Sequence, residues 1–175
     1  IANGITYDSG LGNIGNLGFE GVSYDRARDV FYVVREKTPM EVYQMNRTGA
    51  STAFPLFNAT QTFNGTQGTL FTDLSGLYYD NNTDTLFISS HESQAIANVY
   101  LNGTVIRNLS ASGITQLEGI SFDRFGDVLY GMGEADFYST WHTVTNYTSY
   151  YNFTNIANGT YFYNVSARDA LNNVN

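Results

Sequence analysis

The chain repeats one spacing of acidic residues three times, and this repeat constrains its fold more than any other feature. The first copy runs Glu20-Gly21, Asp25, Asp29, Glu36, and the third runs Glu118-Gly119, Asp123, Asp127, Glu134 at the same intervals. The second runs Ser75-Gly76, Asp80, Asp84, Glu92, with serine for the first glutamate and one extra residue before the last. Matching apolar runs lie between the anchors: GVSYD and DVFYVV, GLYYD and DTLFIS, GISFD and DVLYGM. A unit of about 45 residues built from short strand-forming runs is the mark of propeller blades or a β-solenoid. Five of the six glutamates fall inside the pattern, so the repeat also says where carboxylates collect.

Read as antiparallel four-stranded blades, the first unit places strands at 20–25, 29–35, 41–46 and about 52–57. The second places them at 75–80, 84–90, 95–101 and 103–110, and the third at 118–123 and 127–132 with a shorter tail, FYSTWHTV. The 14 Tyr and 12 Phe favour strands over helices. The segments DRARD, DNNTD and DRFGD close the first hairpin of each unit. Aspartate caps such turns by accepting from nearby backbone N–H groups, so all six aspartates are read as structural. The residues between them do not alternate oxygen donors as an EF-hand loop does.

The glutamates call for a different reading. In an antiparallel blade the start of the first strand and the end of the second lie on the same face of the disc. Glu20 with Glu36, Ser75 with Glu92, and Glu118 with Glu134 are therefore expected to share that face. Glu20, Ser75 and Glu118 should also point toward one axis. Converging carboxylates repel unless they are protonated, hydrogen-bonded or neutralised by a cation. One reading is a metal site drawn from Glu20, Glu36, Glu92, Glu118 and Glu134, with calcium as the first candidate. The other is that each glutamate accepts N–H bonds from a neighbouring blade and only locks blade to blade.

Charge and cysteine content exclude several classes. A net charge of -8, with Lys37 the sole lysine, leaves no basic stripe for nucleic acid. No apolar run reaches membrane-spanning length, and the absence of an apolar leader is what a mature or excised chain would show. The absence of cysteine rules out thiolate metal sites and cysteine nucleophiles. Asn-x-Ser/Thr occurs at Asn46, Asn58, Asn64, Asn81, Asn102, Asn108, Asn146, Asn152, Asn158 and Asn164, which is 10 of 19 asparagines. Chance pairing with the 32 Ser and Thr would give about 3.5 such sites. The excess points to N-glycosylation and to an extracellular or cell-surface protein.

The runs DLSGLYYD…LFISSHES and QLEGISFD…VLYGMGEADFY resemble the SdiA-regulated propeller family, and GFEGVSYD…VVREKTP resembles its preceding blade. The resemblance covers about residues 18–138. It implies a secreted or periplasmic propeller, with calcium as a candidate cofactor and no well-defined catalytic activity. By position, the family's acidic face falls on Glu20, Glu36, Ser75, Glu92, Glu118 and Glu134. Leu117 stands where that family has alanine, and Glu134-Ala135-Asp136 replaces Glu-Pro-Asn.

From residue 140 the pattern changes. Tyr161, Tyr163, Val165 and Ala167 alternate with Phe162, Asn164, Ser166 and Arg168 as in a half-buried strand. The run Asn158-Gly159-Thr160-Tyr161…Ala167-Arg168-Asp169 resembles the end of Ig-like surface repeats. The expected organisation is therefore all-β: about three propeller-type blades over 1–139 and a partial Ig-like β-sandwich segment over 140–175. Three blades do not close a disc and two strands do not make a sandwich. Completion is expected from a larger parent chain or from self-association by strand addition.

No HExxH, Gly-x-Ser-x-Gly or phosphate loop occurs, and no catalytic residue stands out. His91, a loop histidine without an evident orienting partner, is read as surface decoration, and Trp141 as an interdomain packing residue. The function expected is structural or adhesive: a subunit or fragment of a surface layer or extracellular filament with an acidic calcium-binding face. The alternative is a calcium-assisted hydrolase of phosphoesters or lactones.

Overall fold

A computed structural model describes residues 15, 17–46, 54–122, 128–133 and 140–143. The first blade comprises β1 (Phe19–Asp25), β2 (Val30–Arg35), β3 (Glu41–Asn46) and β4 (Phe54–Asn58). A single helical turn, α1 (Ala59–Thr62), follows. The second blade is β5 (Gly76–Asp80), β6 (Thr85–Ser90), β7 (Ala95–Tyr100) and β8 (Val105–Ser110). The third holds β9 (Leu117–Phe122), β10 (Val128–Gly133) and β11 (Thr140–Thr143). Each sheet is an antiparallel meander in chain order. The fold is thus nearly all-β and propeller-like, as the repeat predicts. The helical turn was not legible as such: Asn58 caps it, its side-chain oxygen accepting from Gln61 N at 3.0 Å. The Ig-like run and most of residues 140–175 lie outside the described residues, and β11 pairs with β10.

The first aspartate of the turn acts as expected in each of the first two blades. Asp25 Oδ1 accepts from Ala27 N at 2.8 Å and Arg28 N at 3.1 Å. Asp80 accepts from Asn82 N at 2.9 Å and from the Thr83 hydroxyl at 2.6 Å. Asp29 and Asp84, at the far ends of the same turns, both adopt φ 55°, a left-handed conformation that aspartate tolerates better than most residues. Asp123 and Asp127 lie outside the described residues.

Arg28 then ties blade to blade. Its guanidinium lies 2.7 Å from Asp25 and 2.7 Å from Asp84, and it donates to the Tyr79 hydroxyl at 2.8 Å. The hydrogen bonds from Arg28 hold the Asp84 carboxyl below its usual range. Burial would raise Asp25, but hydrogen bonds from Arg28 and Ala27 outweigh it and hold that carboxyl low as well.

Two apolar layers separate the three sheets. Val30, Tyr32 and Val34 of β2 and Val42 of β3 pack on Leu77, Tyr79, Leu86 and Ile88 of the second blade. Phe87 and Ile96, on its opposite face, pack on Leu117, Ile120 and Leu129 of the third. Strand β6 is buried at every position because it lies between both layers, which is why Leu86, Phe87 and Ile88 are apolar in succession and do not alternate with polar residues. Toward the axis, β1 stands against β5 and β5 against β9. A Cβ on Gly21 would sit 2.7 Å from Leu77 N, and one on Gly76 would sit 3.1 Å from Glu118 O. The glycines of the first two repeats are there because backbone meets backbone.

Candidate functional site

The starts of the inner strands surround a cleft of about 390 Å³ lined by Glu20, Glu36, Leu74, Ser75, His91, Gln116 and Glu118. Two of its carboxylates are aimed there by the same backbone device. Phe19 pairs with Arg35 and Gly21 with Val34, which leaves Glu20 as an extra residue in β1. Leu117 pairs with Gly133 and Gly119 with Met132, which leaves Glu118 extra in β9. A bulge breaks the strict alternation of a strand and re-aims one side chain. Both glutamates thereby reach the axial cleft, while the residues after them stay in register with the core.

The second strand ends supply the other half of the ring. Glu36 stands eleven residues after Asp25, and His91 stands eleven after Asp80. The extra residue of the second repeat therefore puts histidine, and not Glu92, at the position of Glu36. Glu92 instead pairs with Lys37, whose Nζ lies 2.5 Å from its Oε1. That hydrogen bond holds the Glu92 carboxyl below its usual range. Lys37 also lies 3.6 Å from Glu36. Of the five glutamates singled out from the sequence, Glu20, Glu36 and Glu118 line the cleft. Glu92 faces Lys37, and Glu134 lies outside the described residues.

His91 has an orienting partner after all, which corrects its reading as surface decoration. Its Nδ1 lies 2.7 Å from Oδ2 of Asp73, whose side chain is wholly buried. Asp73 also accepts from the Ser90 hydroxyl and from the backbone N–H groups of His91 and Glu92, at 3.3 and 3.1 Å for the latter two. Glu118 Oε1 lies 3.9 Å from the same imidazole nitrogen. With Nδ1 committed to Asp73, Nε2 is the ring atom left for other chemistry. Asp73 was missed because it lies outside the acidic repeat. The signal was Asp73-Leu74-Ser75-Gly76 set against Gln116-Leu117-Glu118-Gly119, which puts Asp73 and Gln116 at equivalent positions beside the cleft.

Electrostatically the cleft is acidic and strained. Burial pushes the Glu20 carboxyl up, the charge of Glu36 pushes it further, and His91 partly offsets both. Ser75 and Ser89, both buried, face each other with hydroxyls 3.2 Å apart. The lining offers carboxylate, hydroxyl and amide oxygens, the donor chemistry a hard cation prefers. Among the described residues, however, no group of three or more His, Asp or Glu side chains is already arranged to hold a metal ion.

Among the described residues, the sequon asparagines lie outside the lining of this cleft. Asn58, Asn64, Asn81, Asn102 and Asn108 are exposed and Asn46 is half-buried. Asn64 and Asn102 accept from the N–H of Thr66 at 2.9 Å and of Thr104 at 3.0 Å, two residues on. Asn108 is held by Gly68 O and the Thr69 hydroxyl. Asn146, Asn152, Asn158 and Asn164 lie outside the described residues. So does the side chain of Trp141.

A family model described as SdiA-regulated matches residues 2–140, starting well ahead of Gly18. Among solved structures, the chain is similar to one in a nidogen/laminin complex, with 17% identity, a TM-score of 0.51, and coverage of 65% of this chain and 38% of that one. It is also similar to a luciferin-regenerating enzyme, with 13% identity, a TM-score of 0.51, and coverage of 65% of this chain and 36% of the other. The chain spans less than two fifths of the length of either. At such identities the likeness speaks for the fold alone.

Proposed function

The chain belongs to the SdiA-regulated family, and from that premise we propose that it is a secreted or cell-surface, N-glycosylated propeller protein with a structural or adhesive role. In this reading its axial cleft takes a hard divalent cation, calcium first. The observation that carries it is the pair of bulges that turn Glu20 and Glu118 into a cleft already holding Glu36. Carboxylates brought together at the expense of regular pairing, with Glu20 pushed up by burial and by Glu36, are a natural seat for a cation. Ser75 and Gln116 would add neutral oxygens. The side chains would have to close on the ion, since they form no ready cage. The excess of sequons, several on exposed turns, supports the extracellular part.

Calorimetric titration with calcium tests the reading. Binding by the wild-type chain, weakened at least about tenfold in both Glu20→Gln and Glu118→Gln, is the expected result; each substitution removes one charged ligand. No binding by the wild type rejects the cation. Peptide mapping before and after enzymatic deglycosylation tests the compartment separately, and unmodified asparagine at every sequon would reject it.

A second reading, a hydrolase of phosphoesters or lactones, is favoured by the Asp73–His91 pair beside the cleft. A buried carboxylate that orients an imidazole is the arrangement of a general base. Turnover of an aryl ester or phosphoester that is lost in His91→Gln would favour it over the adhesive role.

A further inference from the structure

We propose that, of the three sequons gathered around β8 at the rim of the second blade, Asn64 and Asn102 carry the sugar while Asn108 stays unmodified and acts as a clasp. The proposal rests on the reading of the chain as N-glycosylated and adds which asparagines the glycan occupies.

Asn64 and Asn102 sit in two turns built the same way. Both open the tripeptide Asn-Gly-Thr. The middle glycines, Gly65 and Gly103, adopt φ 93° and 83°, a left-handed conformation that glycine enters without strain. That bend brings the threonine N–H back onto the asparagine side chain. Thr66 N donates to Asn64 Oδ1 at 2.9 Å, and Thr104 N donates to Asn102 Oδ1 at 3.0 Å. The Thr66 hydroxyl donates to the same Asn64 oxygen at 2.7 Å. In both turns the amide oxygen is thus tied down, and among the described residues neither Nδ2 makes a hydrogen bond. Asn64, Thr66, Asn102 and Thr104 are all exposed. Each acceptor amide therefore stands at the surface beside the hydroxyl residue that a sequon requires.

The transfer needs a lipid-borne glycosyl pyrophosphate as donor and a transferase. Nδ2 bonds to the anomeric carbon as the bond from that carbon to the phosphate oxygen breaks. The electron pair leaves with the pyrophosphate, and the displaced Nδ2 proton passes to a carboxylate of the transferase. Hydrogen bonds donated to Oδ1 draw electron density from the amide and make that proton easier to lose.

Asn108 opens a sequon too, Asn-Leu-Ser, but both ends of its amide are committed. Its Nδ2 donates to Gly68 O at 2.9 Å, and its Oδ1 accepts from the Thr69 hydroxyl at 2.7 Å. Thr69 is only 3% exposed. Gln67 of the same loop accepts from Val105 N at 2.9 Å and donates to Gly103 O at 3.5 Å. These contacts seat residues 67–69 against β8, the strand at the end of the second sheet. A sugar on Asn108 would take the side of the amide that Gly68 holds and would pull the loop from the strand. The distinction does not depend on timing. A sugar added before folding would keep the loop from closing, and after folding Nδ2 is already engaged. On Asn64 or Asn102 a sugar displaces no described hydrogen bond.

Peptide mapping of the full chain, secreted from a host that performs N-glycosylation, tests the assignment. Releasing the sugar with an amidase in heavy-oxygen water leaves labelled aspartate at each occupied site. Label at Asn64 and Asn102, with none at Asn108, is the expected result. Ser110→Thr gives Asn108 the same hydroxyl residue as the other two, and Asn108 should stay unlabelled in that variant as well. Label at Asn108 in either protein, or its absence from Asn64 or Asn102 while other sequons carry it, would overturn the assignment and leave the glycosylated reading standing. Absence of label from every sequon would overturn both.

Discussion

Asp73 Oδ2 and His91 Nδ1 lie 2.7 Å apart, with the aspartate wholly buried and the imidazole at the rim of the axial cleft. The contact couples the loop before β5 to the turn after β6. It sets which imidazole nitrogen remains for the cleft, because Asp73 takes the other. The same carboxylate also receives the backbone of that turn, so one side chain holds both the conformation of the turn and the direction of the ring.

Replacing Asp73 should therefore cost more than a single hydrogen bond. Asp73→Ala leaves the N–H groups of His91 and Glu92 without their acceptor and removes the partner of Ser90. A loss of about 2–3 kcal/mol is expected, from the penalty for buried polar groups left unpaired. Urea denaturation monitored by circular dichroism would measure it. A loss below about 0.5 kcal/mol would mean that water replaces the carboxylate in full.

Glu20 predicts a dependence on pH whose sign can be worked out. Its carboxyl is raised from 4.5 in the folded chain by burial and by Glu36, so the folded state resists ionisation more than the unfolded state does. The favourable contribution is present below the unfolded value and is lost as pH rises through the folded one. Glu20→Gln should therefore be the more stable protein at pH 7 and should lose that advantage below about pH 4. Since Glu20 is more than a third exposed, the gain should stay within about 0.5 kcal/mol. Thermal melts of both proteins at pH 3.5, 5 and 7 would reveal the convergence, and parallel curves would contradict it.

The repeat glycines predict a contrast between equivalent positions. Gly21→Ala drives a methyl to 2.7 Å from Leu77 N, a backbone atom that cannot step aside. Such overpacking should cost about 2–3 kcal/mol. Gly119→Ala adds the same methyl where the nearest described atom is 3.9 Å away, and should change the stability of the isolated chain by less than about 1 kcal/mol. Denaturation midpoints for the two variants check the difference. Equal losses would imply that the glycines serve backbone flexibility and not close approach.

Strand order and turn chemistry were legible in the sequence because both follow from local rules. Alternating apolar runs between Asp-x3-Asp turns place β1–β3 and β5–β8 to within about two residues, and Asp25 and Asp80 cap their turns through atoms two or three residues away. The spacing of Glu20, Glu36 and Glu118 likewise announced a shared acidic face. What only the tertiary structure decided is which side chains reach the cleft. One extra residue after β6 exchanges Glu92 for His91, and the released glutamate finds Lys37, a residue 55 positions away. Asp73 orients His91 across 18 residues of chain, a pairing that no spacing rule reports. Bulges at Glu20 and Glu118 depend on how inner strands press together at Gly21 and Gly76. Local propensity sets the strands, but the direction of a side chain at a strand end is set by the neighbour it meets, and that neighbour belongs to another blade.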